Sequence, residues 1–185
     1  KGRWESSPGT ELLNTLRKDY SGNLPLIAED LGIITPEVEK LRDDFGLPGM
    51  KILQFAFDGN TNNPYLPENI NGNNWVVYTG THDNPTTIGW WERLDQDSRN
   101  RVRKTTQNHI DAPGWQLLEL ALKTEAFLVV VPIQDLLHLN DEARFNTPGT
   151  TEGNWIWRLS SMDDHIKGAL KGYYERGLFW GRSNK

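Results

Sequence analysis

Cysteine is absent from all 185 residues, which removes disulfides, thiol nucleophiles and thiolate metal sites and leaves the redox compartment open. An excess of basic residues is missing as well: 20 Lys and Arg face 25 Asp and Glu, for a formal charge of -5. Nucleic acids and anionic membranes need a basic footprint to neutralise phosphate, so neither is expected as a partner. Long apolar runs are also lacking. The longest, Ala126 to Ile133 with Pro132 inside it, falls far below the roughly 20 residues that span a bilayer. No charged-then-apolar leader opens the chain, so the expected setting is soluble and cytoplasmic, or a plastid if the source is a plant or alga. The chain begins at Lys1 rather than Met, as processing or truncation would leave it. What is abundant is aromatic: 8 Trp, 5 Tyr and 6 Phe accompany a mean hydropathy of -0.64, a composition unlike that of disordered chains. The length fits one ordinary domain able to bury about 70% of its unfolded surface.

Four apolar runs bounded by turn residues read as strands: Leu24 to Ala28, Met50 to Phe57, Trp75 to Thr79 and Phe127 to Ile133. Val129-Val130-Val131 is apolar on both faces, as in a parallel sheet covered on both sides. Helical patterns lie between them. Thr35-Pro36-Glu37 supplies an N-cap, a proline at N1 and an acid in the first turn; Val38, Leu41 and Phe45 share a face, and Gly46 can stop the helix. Leu117, Leu118, Ala121 and Leu122 form a second apolar stripe after Pro113-Gly114. Weaker helical patterns run from Pro8 to Tyr20 and from Met162 to Tyr174. Strands alternating with helices predict an α/β fold of βαβ units with right-handed crossovers. No internal repeat, low-complexity tract or domain linker interrupts it. One segment breaks the rhythm: Asp58 to Asn74 is dense in Asn, Gly and Pro. It follows a predicted strand, which would place it on the face where strands end and active sites are built.

Two acids occupy similar positions. Glu29 follows Leu24 to Ala28, and Asp83 follows Trp75 to Thr79 by a short Gly80-Thr81-His82 step. An acid at the carboxyl end of a strand is costly in a core and useful in a cleft. Paired carboxylates there suit chemistry at an acetal: one with a raised pKa protonates the leaving oxygen, and an ionised one stabilises positive charge on a sugar ring. The same acids could instead cap helices or pair with arginines. His82 beside Asp83 could bond a substrate hydroxyl, although neighbours on a strand point to opposite faces. His109, His138 and His165 lack metal-ligand spacing, so no metal site is expected. Asp58, Asn60 and Asn62 imitate the first ligands of a calcium loop, but Asn63 stands where its glycine must be and Asn69 where its glutamate must be. The basic run Arg99, Arg101, Arg103 and Lys104, preceded by Asp95 and Asp97, reads as a solvated helix face. The tryptophans suit a carbohydrate site, because flat aromatic faces pack on the C–H faces of sugars while Asn, Asp and Arg bond the hydroxyls. One or two of them are expected to touch a ligand, the rest to fill the core.

At Leu26-Ile-Ala-Glu29-Asp30-Leu-Gly32, Gly46-Leu-Pro-Gly49-Met50-Lys-Ile-Leu-Gln54-Phe-Ala-Phe-Asp58, Tyr78-Thr-Gly-Thr-His82-Asp83-Asn84 and Ala143-Arg144-Phe-Asn146-Thr-Pro148-Gly149-Thr150, the chain resembles the 4-α-glucanotransferases. These amylomaltases or disproportionating enzymes belong to the α-amylase-like superfamily. The motifs occur in family order and cover nearly the whole chain, from Gly2-Arg-Trp4 to Trp155-Ile-Trp157-Arg158-Leu159. The resemblance implies a (β/α)₈ barrel in which Glu29 is the general acid/base and Asp83 stabilises the transition state. It also implies that His82 and Asp58 line the donor sugar sites, and that Asn84, Asn146 and Pro148 border the cleft. The partners it implies are maltooligosaccharides and glucans derived from starch or glycogen, and no cofactor is required. Pro85 departs from the aspartate often found after Asn84 and touches only local contacts.

A larger departure is the missing Arg-[Ile/Val]-Asp-His-Phe motif that carries the family's nucleophilic aspartate upstream of the acid/base strand. Retaining chemistry needs that carboxylate about 5–5.5 Å from the acid/base. Asp19 is the nearest upstream acid, and its Lys-Asp-Tyr setting reads as a helix end. Four strands are half of eight, and such barrels run to about 250 residues. The expectation is therefore a single partial domain over residues 1–185, the C-terminal half of a TIM barrel truncated at its N-terminus. Its parent would transfer α-1,4-glucan segments by a retaining double displacement, and the isolated chain would be inactive. A glucan-binding module without catalysis and an α-glucan hydrolase are the rival readings.

Overall fold

In a computed structural model, residues 3, 5–107 and 111–182 are described; Trp4 and His109 lie outside them. Seven α-helices and three strands follow one another in the order α1 (Gly9–Asp19), α2 (Pro36–Asp44), β1 (Gly49–Ile52), β2 (Trp75–Tyr78), α3 (Thr87–Arg93), α4 (Gln96–Thr105), α5 (Pro113–Lys123), β3 (Leu128–Val130), α6 (Ile133–Leu136) and α7 (Asp164–Phe179). The strands form a parallel sheet in the order β1-β2-β3, with Met50 opposite Val76 and Val76 opposite Leu128. Successive residues Val76 and Val77 point to opposite faces of β2 and are both fully buried, so the central strand is covered on both sides. Leu117, Leu118 and Ala121 of α5 pack into the same core as Val77 and Val129, which fits the apolar stripe read from the sequence.

Three of the four expected strands exist, each shorter than its apolar run. Leu24 to Ala28 is not a strand. Pro25 has no N–H to give a ladder, and one backbone bond, Ala28 N–H to Pro48 O at 2.8 Å, ties the segment toward β1. The β1 edge is instead capped by the Asp30 carboxylate, which accepts from Met50 N–H at 2.7 Å and pairs with Arg42. β1 stops at Ile52 rather than Phe57, because the next carbonyls are taken by side chains. Trp90 Nε1 donates to Gln54 O, Asn63 Nδ2 to Phe55 O and Arg101 Nε to Phe57 O, and a 3₁₀ turn spans Leu53–Phe55. The fourth run, Phe127 to Ile133, breaks at Pro132, the N-cap of α6.

The Asn-rich segment 58–74 corrects a second expectation. Consecutive parallel strands force the chain back to the opposite end of the sheet, and here no α-helix makes that crossing. Residues 58–74 make it, ending where Asn74 Nδ2 donates to Leu47 O and Asn74 O accepts from Gly49 N–H at the start of β1. Its asparagines serve the backbone: Asn69 Nδ2 donates to Thr61 O and Asn63 O, and Asn63 Oδ1 accepts from Tyr65 N–H. The segment is thus a self-bonded crossover.

The α2 pattern matches its sequence reading in Pro36 at N1 and in Gly46, whose φ of 63° ends the helix; Thr35 stands at the N-cap but makes no side-chain bond there. The basic run on α4 is not a solvated face. Arg99 donates to Trp91 O and Glu92 O, and Arg101 reaches Phe57 O, so half-buried arginines fasten α4 to α3 and to the end of β1. Asp95 and Asp163 cap α4 and α7 by accepting from Ser98 N–H at 2.7 Å and Ile166 N–H at 3.0 Å. Those backbone bonds hold both carboxyls below the usual aspartate range. A lowered folded pKa contributes stability above the unfolded value of about 3.9 and loses it as pH falls through the folded one. Asp163→Asn keeps a neutral cap, so its stability gap to the parent chain in thermal unfolding should stay level from pH 8 to pH 5 and shrink on further acidification. Among the described residues, no helix is long and apolar enough to cross a membrane.

Candidate active site

The carboxyl ends of β1, β2 and β3 open into a cavity of about 1030 Å³. Glu29 borders it from the segment before α2, His82 and Asp83 from the turn after β2, Pro132 from the turn after β3 and Gln134 from α6. Elements from all three strand ends therefore meet around one volume, as expected where parallel strands end.

The turn after β2 is bonded within itself. Asn84 Oδ1 accepts from Thr81 N–H and Thr81 Oγ1, both at 2.8 Å, and Asn84 N–H donates back to Thr81 O at 3.1 Å. Because the strand has ended at Tyr78, alternation no longer separates neighbours: His82 and Asp83 both face the cavity, with His82 Nε2 3.3 Å from Asp83 Oδ1. Asn146 Nδ2 donates to that same oxygen at 2.5 Å. Arg144 anchors the backbone below, donating from Nη2 to Asp83 O at 2.6 Å and from Nε to Asn146 O at 2.8 Å. Burial, aided by Arg93 and opposed by Asp83, pulls the Arg144 guanidinium below its ordinary range. Burial first, and then the charge of Glu29, push the Tyr78 hydroxyl up, so Tyr78 enters the cavity as a neutral donor.

An aromatic cluster adjoins the cavity at His82 and Phe145, which line it. His82 packs on Trp155 with ring centroids 5.0 Å apart, and Phe145 lies 5.9 Å from Trp155 and 5.6 Å from Trp157. Trp155 is 52% exposed and holds φ of 63°, a rare backbone region for a bulky residue, fixed by its N–H bond to Phe145 O at 2.7 Å. An exposed indole held in this way offers a flat face to a ligand rather than filling a core.

Of the residues singled out from sequence, Glu29, His82, Asp83, Asn84 and Pro148 line the cavity, and Asn146 joins it through Asp83. Asp58 does not. Its carboxylate accepts from Asn60 N–H at 2.9 Å at the start of the crossover segment, and that bond holds the carboxyl below its ordinary range. Sequence reasoning passed over Arg144, Tyr78 and Trp155 as site residues. Arg144 and Tyr78 sit inside the quoted motifs, so proximity to Asn146 and to the Glu29 and Asp83 segments was the available signal. Trp155 stands in the Trp155-Ile-Trp157-Arg158-Leu159 segment where the resemblance ends, and its aromatic type was the further signal. Among the described residues, no three of His, Asp and Glu gather closely enough to hold a metal ion.

A family model described as 4-alpha-glucanotransferase matches residues 1–163. The 4-alpha-glucanotransferase of a Synechocystis strain is 46% identical over 176 residues, covering 91% of this chain and 34% of that protein. The chloroplastic/amyloplastic 4-alpha-glucanotransferase of Arabidopsis thaliana is 45% identical over 161 residues, covering 86% of this chain and 28% of that one. Amylomaltase from Streptococcus agalactiae, solved in complex with acarbose, superposes with a TM-score of 0.88 at 34% identity over 99% of this chain and 37% of its own. The chain thus spans about a third of the length of these relatives. That family match over residues 1–163, a span that includes Glu29, Asp83 and Asn146, makes the chain a member of the 4-alpha-glucanotransferase family.

Proposed function

We propose that this chain is the C-terminal part of a (β/α)₈ glucanotransferase that moves α-1,4-glucan segments between maltooligosaccharides derived from starch or glycogen. The observation that carries this reading is the shared cavity of Glu29 and Asp83 at the carboxyl end of a parallel sheet. Glu29 gives its proton to the departing glucan oxygen as a carboxylate outside these residues attacks the anomeric carbon. It then takes a proton from the incoming 4-hydroxyl as the glycosyl ester breaks. Asp83, oriented by Asn146 and flanked by His82, stabilises positive charge on the donor ring and holds its hydroxyls. Trp155 supplies a stacking face, and no step calls on a cofactor.

The absent nucleophile motif, the coverage of about a third of the relatives and the three-stranded sheet support reading residues 1–185 as one partial domain of that barrel. Asp19 ends α1 and does not line the cavity. On this reading the purified chain should show no disproportionation of maltotriose. A longer protein that adds an Arg-Ile-Asp-His-Phe-like segment upstream should yield glucose together with longer oligosaccharides. Release of only shorter sugars by the longer protein would instead establish a hydrolase, and turnover by the isolated chain would overturn the partial-site reading. The exposed Trp155 face favours a second reading, a glucan-binding module, which predicts binding without turnover in either protein. The named plant relative is a chloroplastic/amyloplastic protein, so a plastid or a bacterial cytoplasm is the proposed setting.

A further inference from the structure

We propose that Asp135 is a positioning residue: it clamps both ends of the 80–86 turn onto one carboxylate and so aims His82 and Asp83 into the cavity. Asp135 belongs to α6, is 2% exposed and does not line the cavity. Its Oδ2 accepts from Thr79 Oγ1 at 2.6 Å and from Thr87 Oγ1 at 2.7 Å, and its Oδ1 accepts from Thr87 N–H at 2.8 Å. Thr79 is the residue after β2 and Thr87 opens α3, so the two hydroxyls that meet at one oxygen bracket the turn that carries His82 and Asp83. Both threonines are fully buried. With its base closed, the turn cannot widen or slide without breaking a charge-assisted bond in a dry environment.

The clamp is itself fixed. α5 presses Gly114 against the Asp135 backbone so closely that a Cβ there would stand 2.9 Å from its carbonyl carbon. From the opposite side Gln54 Nε2 donates to Pro85 O at 3.1 Å, and Gly80 leaves room for that amide, since a Cβ there would stand 2.6 Å from Gln54 Nε2. Inside the turn, the bonds among Thr81, Asp83 N–H and Asn84 shape the backbone without reaching the Asp83 carboxylate. Where that carboxylate points is set by the base of the turn, together with the Asn146 and His82 contacts on the carboxylate and the Arg144 bond to the Asp83 carbonyl. Stability alone does not explain such a residue. A buried carboxylate is expensive relative to a packed apolar side chain, and burial pushes the Asp135 carboxyl up against the opposing pull of its three bonds and of His138. A buried acid that specifies one geometry for a neighbouring site offsets that expense with precision at the site.

This inference rests on the proposed function only for what His82 and Asp83 do, and it is tested on the chain itself. Asp135→Asn preserves shape but leaves a single acceptor oxygen, so with Thr87 N–H on that oxygen the two hydroxyls lose their shared anionic acceptor and face an amide N–H₂ instead. The His82 Cε1–H resonance reports the turn, because its ring lies 5.0 Å from Trp155, and the methyls of Ile166, buried in α7, report packing outside the turn. The expected result is a shifted or doubled His82 signal, acarbose affinity weaker by about tenfold, which is what one lost charge-assisted bond amounts to, and unmoved Ile166 signals. Thr79→Val should move His82 in the same way, and Thr79→Ser, which keeps the hydroxyl, should restore it. If Asp135→Asn fails to fold, this threonine pair decides. An unmoved His82 signal and unchanged acarbose affinity in a folded but less stable variant would reduce Asp135 to a structural role. Failure of the unsubstituted chain to bind acarbose would count against the proposed function, while the His82 signal would still decide the clamp.

Discussion

Exchanging Glu29 for glutamine in the longer protein proposed above should slow transfer from maltotriose by about 10²–10⁴-fold, the range that general acid–base catalysis supplies. The same exchange should barely slow the first step with α-maltosyl fluoride, because fluoride departs without a proton. Asp83→Asn should behave differently. Its charge acts on the sugar ring and not on the leaving group, so a loss of about 10²–10³-fold is expected with both donors. Steady-state rates for the two donors, measured beside burst release of fluoride, separate the roles. A fluoride burst slowed as much as transfer from maltotriose would remove Glu29 as the acid, and unchanged turnover would return the site to the glucan-binding reading. The cavity favours the split: Glu29 is exposed, whereas the Asp83 carboxylate is held in place by Asn146 and His82.

What could be read from the sequence was what local chemistry decides. Thr35-Pro36 and Gly46 bound α2 because a fixed φ and a positive φ act on their own residues. The apolar run Trp75 to Thr79 marks β2, where Val76 and Val77 are both buried, whereas the two-faced burial read from Val129-Val130-Val131 is only partial in β3, where Leu128 is 39% exposed and Val130 half-buried. Elsewhere the decision was made far away in the chain. Nothing near Gln54 says that its carbonyl belongs to Trp90, and nothing near Leu24 says that the edge of β1 is closed by Asp30 rather than by another strand. An Asn-rich run looks the same whether it lines a cleft or carries its own crossover bonds. The site divides in the same way. Glu29, His82 and Asp83 stand out because motifs and strand ends mark them. Asp135 and Arg144 do not, because their partners lie 48 to 61 positions away in the chain. A buried acid in an apolar run, as in Ile133-Gln-Asp135-Leu-Leu, is nevertheless the kind of local contradiction that marks a functional neighbourhood.

Two glycine-to-alanine exchanges in helices should shift stability in opposite directions, and the first should be among the most damaging single changes in the chain. At Gly114, in the first turn of α5, an added Cβ overlaps the Asp135 carbonyl oxygen. Backbone stands on both sides of that contact, so no side chain can swing away, and relief requires α5 and α6 to part. Overpacking of this kind costs about 1–3 kcal/mol and occasionally more. Here the upper end is expected, because parting the helices also pulls Asp135 off Thr79 and Thr87. At Gly168 in α7 the added Cβ meets nothing within 4 Å. Alanine there should stabilise the helix by about 0.5–1 kcal/mol by restricting the unfolded chain. Chemical denaturation of the two variants measures both shifts. A neutral Gly114→Ala would mean that the α5–α6 contact yields easily, and the clamp beneath the His82–Asp83 turn would then lack its rigid backing. A marked loss at Gly114, accompanied by a moved His82 resonance, would tie the packing of α5 to the aim of the carboxylate at the mouth of the sheet.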